Sequence, residues 1–141
     1  MKIGCPKEIK PQEFRVGMTP NAAYEAVNKG HEVVIEAGAG IGAGFDDAAY
    51  TDAGATILAT AQEVFDSADM IVKVKEPLAA EIAMLCGGQV LFTYLHLAAD
   101  AAQTDALDSL LRVLITRGVD GQLAQRAITA FEQGASLDDV L

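Results

Sequence analysis

Tryptophan is absent from the 141 residues, aromatic side chains make up 6%, and there are only two cysteines. With so few rings, the core must be built from aliphatic side chains. Cys5 and Cys86 stand far apart and form no Cys-x-x-Cys pair, so they suggest neither a zinc site nor a disulfide framework. No run approaches the roughly 18 apolar residues that a membrane helix needs. Polar residues interrupt Met1–Lys10 before any apolar signal core can form, so no secretory leader is expected and the cytoplasm is the expected compartment. Basic residues are scarce, 10 against 20 acidic ones, for a formal net charge of −10. That balance suits a well-solvated surface. It argues against nucleic acid or an anionic membrane as a partner, because each requires a basic face.

Aliphatic material is what the chain has in quantity: 51% of residues are hydrophobic and the mean hydropathy is +0.25. One domain of this size can bury roughly 68–70% of the surface its unfolded chain exposes. Strand and helix signals alternate along it. Lys2–Pro6 is a short apolar run. Thr19-Pro20 reads as an N-cap with proline in the first helical position, opening a helix that Gly30 stops. His31–Ala37 holds a buried strand, and Asp46–Ala53 a short helix ended by Gly54. After a strand at Ala55–Leu58, Thr60 and Glu63 form a capping box for a helix to Ser67. Met70–Val74 reads as a central strand, Ala79–Leu85 as a helix, Gly87-Gly88 as a turn and Val90–Leu95 as a further strand. Asp100–Leu111 and Asp120–Gln133 read as helices around a last strand at Val113–Thr116. Repeated strand-then-helix units predict a single α/β domain over 1–141, a mostly parallel sheet with helices on both faces in a three-layer, Rossmann- or flavodoxin-like arrangement.

Gly38-x-Gly40-x-x-Ala43 follows a strand and imitates a dinucleotide fingerprint. That motif works by starting a helix whose N-terminal amides face a pyrophosphate. Here Gly42 and Gly44 prolong the flexible run, and Phe45-Asp46-Asp47 intervenes before a helix. The next strand also ends Ile57-Leu58-Ala59-Thr60, without the acid that would hold a ribose hydroxyl. A structural glycine loop is the better reading.

Parallel-sheet proteins place their sites past the C-terminal ends of strands. Lys75 follows Met70–Val74, His96 ends Val90–Leu95, and Arg15 lies in the polar segment after the first strand. Arginine can bind a carboxylate through two parallel hydrogen bonds, lysine can polarise a carbonyl, and histidine can move protons near neutral pH. Three such groups in one crevice suit a small carboxylate substrate. Taken singly, each has a plainer reading: Lys75 as a solvated strand-end lysine, Arg15 as a surface ion-pair partner, His96 as a capped or core histidine. His31 reads as a turn residue, and Glu8 and Glu13 as ion-pair partners, either of which could orient Arg15.

Four segments together carry a resemblance. They are MKIGCPKEIK over Met1–Lys10 continuing to EFRVGMTP over Glu13–Pro20, GHEVVIEAGAG over Gly30–Gly40, VKVKEPL over Val72–Leu78, and LFTYLHLA over Leu91–Ala98. In this order and spacing they resemble the N-terminal, substrate-binding domain of the alanine dehydrogenase family. That architecture is shared with the transhydrogenase α subunit, and Thr93-Tyr94-Leu95-His96 fits the former better. The resemblance covers Met1 to Leu111. It implies oxidative deamination of L-alanine to pyruvate and ammonia with NAD. It further implies that Arg15 and Lys75 hold the substrate carboxylate and carbonyl, and that His96 acts as acid/base or polarising group. It places Gly38–Gly44 in the substrate domain, consistent with a glycine loop that binds no nucleotide.

Residues 112–141 do not resemble the family's continuation and are expected to supply a strand and one or two helices that complete the fold. The NAD-binding domain is expected to be missing. The isolated chain should therefore bind no NAD and no metal and be inactive alone. Its expected partners are pyruvate or L-alanine, and a homo-oligomer or a separate NAD-binding chain. The alternative function is a stand-alone, non-catalytic module that binds small acids or self-associates.

Overall fold

The computed structural model describes residues 1–94. Met1–Leu85 and the stretch from Gln89 into the last described strand belong to one compact unit. Its strands are β1 (Lys2–Cys5), β2 (Glu32–Glu36), β3 (Thr56–Leu58), β4 (Met70–Lys75) and β5 (Val90–Tyr94). Its helices are α1 (Pro20–Asn28), α2 (Asp47–Asp52), α3 (Ala61–Ser67) and α4 (Ala79–Ile82). All strand pairs are parallel, in the order β3-β2-β1-β4-β5. The expected parallel α/β architecture is thus what the chain adopts.

The strand order reverses at β1: the chain steps outward through β2 and β3, then returns to lay β4 on the other side of β1. Right-handed crossovers then put α1 and α2 on one face of the sheet and α3 on the other. Side-chain alternation agrees. Ile3, Cys5, Val33 and Ile35 share a buried cluster with Ala23 of α1 and Tyr50 of α2. Gly4, in register with Val34 and Ile71, faces the opposite way. A Cβ there would lie 2.8 Å from both Ala68 and Val64, so α3 packs directly on the backbone of β1.

The helix ends are set by local chemistry. Thr19 caps α1 through Ala22 N, Asp46 caps α2 through Ala49 N, and Thr60 and Glu63 cap α3 reciprocally. Gly30 and Gly54 follow α1 and α2 in left-handed conformation (φ +84° and +87°), which costs a side-chain-bearing residue energy and glycine little. Three local expectations are corrected. The fourth helix ends at Ile82 rather than Leu85, giving way to turns before the Gly87-Gly88 turn. The glycine loop, expected as a flexible run, contains a 3-10 turn at Ile41–Ala43. Lys75 is the last residue of β4 rather than the first beyond it. The expected helices at 100–111 and 120–133, the strand at 113–116 and the completion of the fold by 112–141 lie outside the described residues.

Candidate functional site

The loops leaving β1 and β4 diverge at the reversal of strand order, where open parallel sheets form a crevice at their C-terminal edge. Arg15 lies on the loop after β1 and Lys75 at the end of β4, two of the three sequence-identified candidates. His96 lies outside the described residues.

The segment after β1 crosses the top of the sheet. Gly17 permits the crossing, because a Cβ there would sit 2.7 Å from the Val72 carbonyl oxygen and 3.0 Å from Lys73 Cα. Met18 is then held by its carbonyl, which accepts from the hydroxyl of buried Tyr50 at 2.8 Å. Between these points and β1, Lys7, Glu8, Lys10 and the run from Gln12 to Arg15 form one wall of a hollow of about 320 Å³; Gly38, Ala39, Ile41 and Gly42 form the other. Gly42 brings the walls together, since a Cβ on it would approach the Phe14 carbonyl oxygen to 2.8 Å.

Arg15 and Glu13 both line this hollow. Glu13 takes Arg15 Nε at 2.7 Å and Nη2 at 2.5 Å, and its Oε1 also accepts the Arg15 backbone amide at 3.0 Å. The Arg15 side chain is 66% exposed and that of Glu13 only 8%. Glu13 thus grips one edge of the guanidinium and leaves its terminal edge, with donors on both Nη atoms, free for another carboxylate. Arg15, through its guanidinium bonds first and its backbone amide second, pulls the Glu13 carboxyl down to about 2; Lys75 acts in the same direction. Glu13 in turn raises the Arg15 pKa.

Lys75 does not line the hollow, although it stands close enough to Glu13 to affect it electrostatically. It is half-buried, and its carbonyl accepts the Thr93 hydroxyl at 2.7 Å. Glu8, read from the sequence as one of two groups able to orient Arg15, does other work. It pairs with Lys73 at 3.2 Å and accepts the Val74 amide at 2.6 Å. Sequence reasoning missed Lys73, whose side chain is 1% exposed. The available signal was a lysine at an inward position of an apolar strand, which must be paired to be buried.

The described residues do not fit a dinucleotide at the glycine loop. The Gly38 amide already donates to Asp47 Oδ1 at 2.8 Å, and that carboxylate would repel a pyrophosphate. A Cβ on Gly40 would stand 2.7 Å from the Tyr50 ring and 2.8 Å from the Phe45 carbonyl oxygen, so this glycine serves close packing. Among the described residues no group of three or more acidic, histidine or cysteine side chains could hold a metal, and no helix is long and apolar enough to cross a membrane.

A sheet of this order, with an arginine held by a carboxylate beside its switch point, defines a doubly wound parallel α/β domain. The chain belongs to the alanine dehydrogenase/PNT N-terminal domain family, whose profile matches residues 4–116. It is 48% identical over 137 residues to an alanine dehydrogenase of Halomonas elongata, covering 97% of this chain and 35% of that protein. That alignment therefore reaches past residue 116. With an alanine dehydrogenase of Methanococcus maripaludis it shares 56% identity over 107 residues, 76% of this chain and 29% of that protein. The chain thus spans about a third of the length of these relatives. A solved L-alanine dehydrogenase superposes with a TM-score of 0.73 at 52% identity, over 80% of this chain and 30% of that one. A transhydrogenase from Sinorhizobium meliloti gives 0.69 at 32% identity, over 76% of this chain and 30% of that one.

Proposed function

We propose that this chain is the substrate-binding part of an NAD-dependent L-alanine dehydrogenase, the site of pyruvate and L-alanine in oxidative deamination. The observation that carries the reading is Arg15, gripped on one edge by Glu13 and exposed on the other at the rim of the hollow. Its free edge matches a carboxylate in bidentate geometry. Lys75 supplies a second cation for the substrate carbonyl, and His96 is assigned the role of acid/base or polarising group. These three roles come from the family relationship together with the chemistry of the groups. NAD would take the hydride in that reaction, and the glycine loop, with its Gly38 amide already bonded to Asp47, is not assigned to it.

Titrating pyruvate into the purified chain by calorimetry tests this. Saturable binding is expected, and Arg15→Ala should weaken it by roughly 1.5–3 kcal/mol, the usual worth of a hydrogen-bonded charge. Equal binding by wild type and Arg15→Ala would refute the assignment of Arg15.

A self-associating module is the second reading. Val90, Phe92 and Tyr94 alternate along β5 and are 47%, 67% and 71% exposed, more apolar edge than a lone chain usually shows water. Light scattering separates a monomer from an assembly.

A further inference from the structure

Strand β4 spends one more residue than β5 between two of their paired positions: Val72 pairs with Phe92, and Lys75 with Tyr94. An inserted residue of this kind interrupts the ladder and re-aims the side chains beyond it. Within the irregular stretch, the Val74 amide donates to Glu8 Oε1 at 2.6 Å, and the Lys75 amide lies 3.5 Å from the same oxygen. The other oxygen of Glu8 accepts from Lys73 Nζ at 3.2 Å. Lys73 Nζ also sits 2.6 Å from Glu81 Oε1, and Glu81 Oε2 accepts the Leu78 amide at 2.9 Å. The side chains of Lys73, Glu8 and Glu81 are 1%, 2% and 3% exposed.

Stability alone is a weak reason for such a cluster, because apolar residues of similar volume often serve a buried position at least as well. Geometry is a stronger one. Glu8 belongs to the segment that carries Arg15, whereas its partners Lys73, Val74 and Lys75 belong to the strand that carries the other cation. A single buried carboxylate therefore joins the two walls of the crevice, with both of its oxygens engaged.

We propose that Glu8 is a positioning residue: it locks the irregular turn of β4 and so sets where the Lys75 ammonium stands relative to Arg15. The role rests on the reading of Arg15 and Lys75 as substrate anchors; both oxygens of Glu8 are already taken up by Lys73 and the Val74 amide. Glu81 provides the internal control. It shares Lys73 with Glu8 but makes no contact with the Val74 or Lys75 amides.

The test compares Glu8→Gln and Glu81→Gln in the full chain by two readouts. One is pyruvate affinity by calorimetry. The other needs no ligand: the rate of Lys75 acetylation by an N-hydroxysuccinimide ester relative to exposed Lys29, read by mass spectrometry. Glu8→Gln is expected to weaken pyruvate binding roughly tenfold, the scale of one charged hydrogen bond, and to move the Lys75-to-Lys29 ratio beyond replicate scatter. Glu81→Gln should lower the thermal midpoint yet leave both readouts at the wild-type value. Equal effects of the two variants, or an unmoved ratio in Glu8→Gln, overturn the proposal. If Glu8→Gln does not fold, Glu8→Asp keeps the charge and withdraws it from the Val74 amide, and the same comparison applies. Failure of the wild type to bind pyruvate would sink the substrate assignment, while the acetylation ratio would still decide the positioning role.

Discussion

Replacing Gly42 by alanine adds one methyl at the narrowest point between the glycine loop and the arginine-bearing segment. That methyl would stand 2.8 Å from the Phe14 carbonyl oxygen, 3.1 Å from its Cα and 3.3 Å from its carbonyl carbon. All three atoms are backbone, so no side-chain rotation relieves the clash and Phe14 must move, taking the adjacent Arg15 with it. Overpacking of this kind costs about 1–3 kcal/mol, or a fall in thermal midpoint of about 4–12 °C at roughly 4 °C per kcal/mol. Gly44→Ala is the matched control. Gly44 has a φ of +86° with nothing within 4 Å of a Cβ, so its alanine is strained by about 1–2 kcal/mol without pushing on a neighbour. Both variants should melt early. Only Gly42→Ala should also weaken pyruvate binding, because an anchor displaced by a fraction of an ångström loses alignment with its ligand. Calorimetry and thermal melting on the same samples separate the two effects. If Gly42→Ala melts and binds like wild type, or if both alanines weaken binding equally, the close approach does not set the position of Arg15.

Two further outcomes follow from the ionisation of single groups. A carbon-detected NMR titration should give Glu13 a midpoint of about 2 against an ordinary value of 4.5. Since its pKa is depressed on folding, the stabilisation from the Glu13–Arg15 pair is complete above about pH 4.5 and disappears as pH falls through about 2; a midpoint near 4.5 would mean that the pair is not formed in solution. Cys5, fully buried, has its thiol pushed up to about 12 by burial. Iodoacetamide at pH 8 should therefore spare Cys5 in the folded chain and label it once denaturant is added. Its preference for the neutral thiol contributes stability below the ordinary pKa of 9.0 and is lost as pH rises toward about 12.

Much of the fold was legible because its punctuation is local. Thr19-Pro20, Asp46 and the Thr60–Glu63 box act within one helical turn, so their meaning survives in the bare sequence. The apolar strands were equally plain, since both faces of the sheet are covered where the interior strands cross it. The roles of the two lysines of β4 were not separable in this way. Lys73 and Lys75 sit two apart in an alternating run, which normally puts them on one face with one environment. The inserted residue opposite Phe92 and Tyr94 breaks that equivalence, burying the first and leaving the second at the rim. The division of labour between Glu8 and Glu13 was hidden for a related reason. Each is five residues or fewer from a turn at Gln12, whose φ of +66° redirects the chain between them.

The first residues of the chain are woven into the sheet at its far end. Asp69 accepts the Lys2 amide on its side chain at 2.6 Å, donates its own amide to the Lys2 carbonyl at 2.8 Å and passes its carbonyl to Val90 at 2.9 Å. Strands of four to six residues at about 3.3 Å each then separate Met1 from the Arg15 crevice. A fluorophore, biotin or surface tether attached through the Met1 amine would consequently sit at the other end of these strands from Arg15, leaving that residue accessible to titration on an immobilised sample.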